Sequence, residues 1–217
     1  MTNPNAIPDN KPSSLRFVSL AGLGAMVLFF TSLIGFAAVR TDGYTHGTKA
    51  ISELGAVGAP NAMAFNFLGF ILPGAMTILF SVALLKLGRR EFKKAGPVLL
   101  MISGLGFMVA GLFPIDLSDR GSLTTILHAV GASFAGLFWG LGLFWIGSVL
   151  KRGFGLIRWG TATPWFVLFL VANFAWQGVW QATGSVLPGW GQRIAFGGFF
   201  GWLAITSWLV FRQLREA

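Results

Sequence analysis

The residues best suited to chemistry gather in one polar stretch of an otherwise apolar chain. Residues 42–59 hold the only tyrosine, Tyr44, together with His46 and Glu53. Imidazole and carboxylate groups can act as general bases, and a guanidinium such as that of Arg193 can hold an anionic group. The candidate catalytic residues are His128, His46, Asp116 and Glu53.

Metal binding is the weakest of the chemical possibilities. The chain has no cysteine, so thiolate ligands and disulfides are excluded. Its two histidines are far apart in sequence and form no H-x-x-x-H or H-E-x-x-H pattern. We therefore predict no cofactor and no metal, and a zinc site of His46, His128 and Asp116 with one position left for water is the alternative.

Three amides are spaced for a shared helix face. Asn173, Gln177 and Gln181 recur at every fourth residue, which aligns them along one side of a helix. Polar groups within a membrane usually face the bundle interior or a wet cavity. We predict a polar ligand pocket at one end of the bundle, lined by Tyr44, His46, Glu53, Asp116, His128, Asn173, Gln177, Gln181 and Arg193.

Within the polar stretch, we predict a short helix over residues 45–54 with Gly55 as its C-terminal cap. Glu53 would then lie near the negative end of the helix dipole, where a carboxylate is disfavoured. We therefore expect a cation beside it and predict Arg193 as that partner.

The elements that position these residues are membrane helices. The 217 residues are only 11% charged, whereas soluble domains carry about 25% charged residues. Long apolar runs can each cross a hydrocarbon core, which needs about 20 residues. The prediction is an all-α, polytopic six-transmembrane-helix bundle with helices at about 17–39, 62–85, 96–113, 122–150, 161–179 and 191–211.

The six helices form one domain, residues 16–212, after a disordered cytoplasmic tail, residues 1–15. Arg40, Lys49, Arg120 and Arg193 would lie outside, and the other twelve of the sixteen Lys and Arg residues inside. This bias predicts an N-in, C-in protein of the cytoplasmic membrane. It also accounts for the net charge of +9, so we predict membrane lipids or a partner membrane protein, and no nucleic acid, as partners.

Glycines and tryptophans suggest how the helices pack. Small residues on the fourth and sixth helices should allow close approach between helices: Gly131, Ala132, Ala135, Gly136, Gly140, Gly197, Gly198 and Gly201. Tryptophans, Trp139 among them, are typical of the belts at membrane interfaces.

The polar motifs resemble one family over most of the chain, from about residue 20 to residue 209. The segment Y-T-H-G-T-K-A-I-S-E-L-G, the F-P-I-D before His128 and the later G-Q-R-I resemble the family called domain of unknown function 998. The resemblance implies a six-helix prokaryotic membrane protein of unassigned activity. It carries over as motif positions, without roles, Tyr44, His46, Ser52, Glu53, Gly55, Pro60, Pro114, Asp116, His128 and Arg193.

Three functions fit these patterns. The first is a membrane protein whose outward-facing pocket binds a lipid headgroup or a small polar ligand. The second is a membrane hydrolase or transferase that acts on lipid with histidine and aspartate, with or without zinc. The third is a structural or partner-binding membrane subunit, in which His128 only donates a hydrogen bond to a carbonyl or to Asp116.

Overall fold

A computed structural model describes residues 13–87, 94–183 and 188–216. The described residues are predominantly helical and include no strand. The α-helices in chain order are α1 (Ser13–Val18), α2 (Ala21–Ala38), α3 (Ala62–Phe65), α4 (Leu72–Leu87), α5 (Ala95–Leu112), α6 (Leu123–Phe154), α7 (Ile157–Ala162), α8 (Trp165–Ala182) and α9 (Pro188–Arg215).

Six helical segments are long and apolar enough to cross a membrane: Leu15–Ala38, Ala62–Leu87, Ala95–Leu112, Leu123–Phe154, Ile157–Val179 and Gly189–Arg215. This confirms the predicted all-α, six-span bundle, while its orientation in the membrane stays a prediction. Large apolar side chains such as Ile34, Leu137 and Val179 are more than half exposed. A bilayer would cover this surface, because its hydrocarbon is as apolar as the side chains themselves.

Two spans are irregular at prolines. The second span passes through a π-helical turn, Asn66–Ile71, just before Pro73, which lacks the N–H that a regular helix would use. The predicted fifth helix is divided into α7 and α8, and Pro164 stands at the division. A proline in a helix removes one backbone hydrogen bond and crowds the preceding turn.

The N-terminal tail is only partly covered by the structure. Residues 1–12 of the predicted disordered tail lie outside the described residues. Residues 13–15 belong to α1, which is followed at once by α2.

Aromatic side chains fill the centre of the bundle. Phe29 of α2 stacks on Phe200 of α9 with ring centroids 4.4 Å apart. Trp139 and Trp202 are both about 99% buried. The prediction that Trp139 lies in an interfacial belt is therefore wrong, because it stands 16 residues into α6, about 24 Å from the start of that helix.

Glycine positions distinguish close helix contacts from open space. A Cβ on Gly131 would lie 2.7 Å from the Ala110 nitrogen and 2.8 Å from the Gly106 oxygen, so α5 and α6 touch through their backbones there. This confirms the predicted close approach at Gly131. Gly140 and Gly198 also lie against neighbouring side chains, because a Cβ there would lie 3.3 Å from Leu170 and 2.2 Å from Phe169. A Cβ on Gly136, Gly197 or Gly201 would meet nothing within 4 Å, so the same prediction is wrong for those three.

Two polar connections lie at the same end of the bundle. Residues 39–61 join the first span to the second, and residues 113–122 join the third to the fourth. Because successive spans run in opposite directions, both segments lie at the same end, where α9 also begins. We call this the loop end of the bundle.

Candidate functional site

The turn that follows Ala50 organises the first loop. Residues Ile51–Gly55 form a 3₁₀ helix, shorter than the predicted α-helix over residues 45–54. The Glu53 carboxylate accepts a hydrogen bond from the Ala50 N–H at 2.9 Å, which satisfies a backbone donor at the start of the turn. The Lys49 ammonium lies 3.4 Å from the same carboxylate. The predicted Glu53–Arg193 pair is therefore wrong, since Lys49 is the cation beside Glu53.

Gly55 is required for close packing and does not adopt the left-handed conformation of a helix cap. Positive φ angles occur, among the described glycines, at Gly43, Gly58 and Gly155. A Cβ on Gly55 would lie 1.9 Å from the carboxamide oxygen of Asn66, whose nitrogen donates to the Gly55 carbonyl at 2.8 Å. Only glycine leaves room for this bond, so Asn66 ties the second span to the loop.

Arg193 fastens the first loop to α9. Its Nη2 donates to the Tyr44 hydroxyl at 2.7 Å, and its Nε donates to His46 Nδ1 at 3.2 Å. Its Nη1 donates to the carbonyls of Lys49, at 3.0 Å, and Gly189, at 2.8 Å. We call Tyr44, His46, Arg193 and these two carbonyls the arginine clamp. Every acceptor in the clamp is formally neutral, so the clamp differs from an ion pair.

The backbone of the loop rests directly on the first turn of α9. A Cβ on Gly189 would lie 2.3 Å from the carbonyl oxygen of His46. Gln192 accepts a hydrogen bond from the Ile51 N–H at 2.7 Å through its side-chain oxygen. The G-Q-R portion of the G-Q-R-I motif therefore holds the loop in place through Gln192 and Arg193.

A second arginine, Arg40, also lies beside the Tyr44 ring of the clamp. The guanidinium of Arg40 is paired with Asp42 and donates to the Glu53 carbonyl at 3.2 Å. It lies 5.4 Å from the centre of the Tyr44 ring, and Arg193 lies 5.9 Å from the same centre. One feature of the sequence could have drawn attention to Arg40. It is a basic residue in a loop predicted to lie outside, whereas most basic residues are predicted to lie inside.

The electrostatics of the clamp favour a neutral His46 and a neutral Tyr44. Partial desolvation lowers the pKa of the largely exposed His46, and the positive charge of Arg193 lowers it further. Burial raises the pKa of the Tyr44 hydroxyl, and the charge and hydrogen bond of Arg193 oppose that rise. A neutral His46 leaves Nδ1 free to accept the bond from Arg193.

His128 lies in a different place and has a different role. Its Nδ1 approaches the carbonyl oxygens of Ala110 at 2.8 Å and Phe113 at 3.1 Å, and because both are acceptors, Nδ1 carries the proton. These carbonyls belong to the end of α5, where helical donors are missing. His128 therefore closes the end of α5 from its position on α6.

Asp116 holds the second loop and does not orient His128. Its carboxylate accepts from the Ser118 hydroxyl at 2.6 Å, the Ser118 N–H at 2.9 Å and the Asp119 N–H at 3.2 Å. These bonds lower the pKa of the Asp116 carboxyl. Across the residues that the structure describes, no three His, Asp or Glu side chains lie close enough to hold a metal ion, so His46, His128 and Asp116 are not brought together.

A cavity of about 260 Å³ lies between α6, α8 and α9, below the clamp. Its lining consists of Phe70, Phe107, Ala110, Ala132, Ser133, Ala135, Gly136, Trp139, Leu170, Phe174, Gln177, Gln192, Ala195, Phe196 and Phe199. Most of these side chains are apolar, and two are the glutamines of α8 and α9. We call it the α6–α9 cavity.

The predicted amide face of α8 contributes to the cavity in part. Gln177 lines it and donates through Nε2 to the Asn173 carboxamide oxygen at 2.7 Å. Asn173 is 5% exposed. The side chain of Gln181 lies outside the described residues. Gln192 and Trp139 are lining residues that sequence reasoning missed, although Gln192 stands beside Arg193 in the G-Q-R-I motif.

Comparison with known proteins places the chain in a family. Residues 23–209 match the family described as "Protein of unknown function (DUF998)", and the chain belongs to that family. The searches of curated proteins and of solved structures give no match.

Arg193→Lys should release the first loop while keeping the positive charge. A lysine ammonium cannot reproduce the planar fork that reaches four acceptors. We expect the amides of Ile51–Gly55 to exchange with deuterium roughly tenfold faster, because local opening becomes easier. The matched control is Arg120→Lys in the exposed second loop, which should exchange like the wild type. Unchanged exchange in Arg193→Lys would show that the clamp does not hold the loop.

Acid should loosen the same loop through His46. Because the docked state lowers the pKa of His46, the undocked state binds more protons, and docking weakens as the pH falls below about 6.5. Above that pH the stabilisation is fully present. Exchange at Ile51–Gly55, corrected for its intrinsic pH dependence, should accelerate between about pH 7 and pH 5. His46→Gln keeps an acceptor that does not titrate, so an equal acceleration in that variant would contradict the assignment.

Proposed function

We propose that this DUF998 protein binds an amphiphilic molecule drawn from the membrane, and that the α6–α9 cavity holds its apolar part. The observation that carries the proposal is the cavity itself, an apolar space within the spans with Gln177 and Gln192 towards its loop end. Binding sites for small molecules are usually apolar clefts with a few polar groups that fix orientation, and about 300–1,000 Å³ in volume. At about 260 Å³ the cavity fits one chain segment or one small ring system.

Access from the side of the bundle supports a ligand that comes from the bilayer. Ala132, Ser133 and Phe174 line the cavity and are exposed on α6 and α8, so the space opens between these two helices. The fifth span is also loosely held, since 17% of its most apolar window is buried, against 50% for the sixth span. A molecule dissolved in the bilayer would enter without crossing the polar loops.

The structural roles of the candidate catalytic residues favour binding over catalysis as the function. Each candidate catalytic side chain has a structural partner: His46 with Arg193, Glu53 with Lys49, His128 with the end of α5, and Asp116 with its own loop. General acid–base catalysis requires a group within reach of a substrate proton. His46 is exposed and Asp116 is half-buried, and both make hydrogen bonds that shape loops, so we assign them to architecture.

We further propose that the loop end faces the outside of the cytoplasmic membrane and that both termini are cytoplasmic. The basic residues Lys86, Lys94, Lys151 and Arg152 mark the opposite end of the bundle, and basic residues favour the cytoplasm.

The orientation can be tested by single-cysteine labelling, because the chain has no native cysteine. In intact cells, a membrane-impermeant maleimide should label Arg120→Cys at the loop end. It should label Glu216→Cys, beyond α9 at the other end, only after the cells are lysed. The reverse pattern would invert the proposed orientation. Both side chains are exposed in the structure, so accessibility differs only through the membrane.

Gly136→Leu should block the cavity. Gly136 lines it, and a Cβ there would meet nothing within 4 Å, so the larger side chain can grow into the space without distorting a helix. Gly197→Leu is the matched control, because Gly197 is equally open and is not a lining residue. Native mass spectrometry of protein released from lipid nanodiscs should show a bound amphiphile in the wild type and in Gly197→Leu.

In Gly136→Leu the affinity for the amphiphile should fall roughly tenfold, the effect of losing about 1.4 kcal/mol of binding, and the bound fraction should fall with it. Helix propensity favours leucine over glycine at both positions, so it does not separate the two variants. Equal occupancy in all three proteins would refute binding in the cavity. Equal loss in both variants would assign the effect to the helices rather than to the cavity.

A further inference from the structure

One buried donor without an acceptor belongs to a residue that lines the α6–α9 cavity, and a second belongs to a residue of α8 that stands among lining residues. In the described ranges, the buried side-chain polar atoms that lack a hydrogen-bond partner are Arg16 Nε, Trp139 Nε1 and Asn173 Nδ2. Trp139 lines the cavity. Asn173 stands on the same stretch of α8 as three lining residues and uses its oxygen to accept from Gln177. A buried donor left unpaired destabilises a protein, so such groups call for a partner.

Both unpaired atoms are N–H donors, which restricts the chemistry of the partner. An indole offers a donor only, and the free side of the Asn173 amide is its –NH₂ group. A ligand that satisfies them must present a hydrogen-bond acceptor. An apolar chain would leave both donors unpaired.

The acceptor must also be uncharged. The lining residues include no Lys, Arg, His, Asp or Glu. The nearest cation in sequence, Arg193, follows Gln192 directly, but its guanidinium already donates to four acceptors in the clamp. An anion in an apolar cavity without a countercharge is strongly disfavoured.

The acceptor would lie well inside the bundle. Gln177 and Leu170 both line the cavity on α8, and seven residues of helix separate them by about 10 Å. Leu170 is at the level of α6 that carries Trp139, because a Cβ on Gly140 would lie 3.3 Å from the Leu170 side chain. Aromatic rings of Phe107, Phe196 and Phe199 complete the wall there. The site therefore suits an apolar ligand, either a flat ring system or a chain, whose hydrogen-bond acceptor is not at its terminus.

We propose that the ligand of the α6–α9 cavity carries an uncharged carbonyl, of the kind found in quinones, ketones and esters, which accepts hydrogen bonds from Trp139 Nε1 and Asn173 Nδ2. This assignment rests on the proposed binding function and names its ligand class. It separates the site from one that recognises a phosphate or a carboxylate headgroup.

The test compares probes of similar shape that differ in the acceptor. The full chain in nanodiscs of zwitterionic lipid is titrated with 1,4-naphthoquinone, with naphthalene and with 1-naphthoate, and binding to empty nanodiscs is subtracted. No cysteine thiol is present to react with the quinone. We expect 1,4-naphthoquinone to bind roughly tenfold tighter than naphthalene, the gain from about one or two buried hydrogen bonds.

Two variants locate the effect. Trp139→Phe removes the unpaired donor and keeps an aromatic ring, so the preference for the quinone over naphthalene should fall several-fold. Asn173→Leu should act in the same direction. Trp202→Phe is the matched control, because Trp202 is equally buried but donates to the Thr163 hydroxyl at 3.3 Å and does not line the cavity. It should keep the full preference.

The possible outcomes distinguish a failure of the carbonyl assignment from a failure of the proposed binding function. If naphthalene binds as tightly as the quinone and Gly136→Leu blocks both, the cavity binds apolar molecules and the carbonyl assignment is overturned. If 1-naphthoate binds as tightly as the quinone, the requirement for an uncharged acceptor is overturned. If no probe binds differently to Gly136→Leu and to Gly197→Leu, the cavity is not a binding site and both proposals fall together.

Discussion

The loop end of this protein depends on the guanidinium of Arg193. A cation at the start of a membrane span must be neutralised or fully hydrogen-bonded, because polar groups without partners are costly there. Arg193 meets this requirement with four neutral acceptors, two of them on side chains of the first loop. The guanidinium suits this task because its donors lie in a fixed plane and point in several directions. The position of the loop therefore follows from the need to solvate one charge.

The sequence predicted those features that follow directly from the pattern of residues along the chain. Apolar runs of about 20 residues have few alternatives to membrane helices, so the six spans were predicted with small errors at their ends. The wrong pairings were those that depend on three dimensions. Glu53 pairs with Lys49, four residues earlier in the chain, rather than with Arg193. His128 turns towards α5, and nothing in one sequence states how far α6 is rotated about its axis.

Small residues also show that a sequence pattern does not give the contacts of a residue in three dimensions. Gly131 and Gly136 stand on one helix five residues apart, and the sequence gives both the same meaning. In the fold, Gly131 touches the backbone of α5, whereas Gly136 faces the α6–α9 cavity. The absence of a side chain thus permits a contact at one position and leaves a space at the other. Trp139, mistaken for an interfacial residue, is the bulky neighbour that bounds this space.

Gln192 connects the two features of the molecule. Its side-chain oxygen accepts from Ile51 of the docked loop, and the same side chain lines the cavity. Arg193, the next residue, holds Tyr44 and His46. Adjacent helical residues point in directions about 100° apart, so one turn of α9 can face the cavity with one side chain and the loop with the next. If the loop loosens, Gln192 in the cavity wall therefore loses its hydrogen bond from Ile51. The docked loop and the cavity wall thus belong to one local structure.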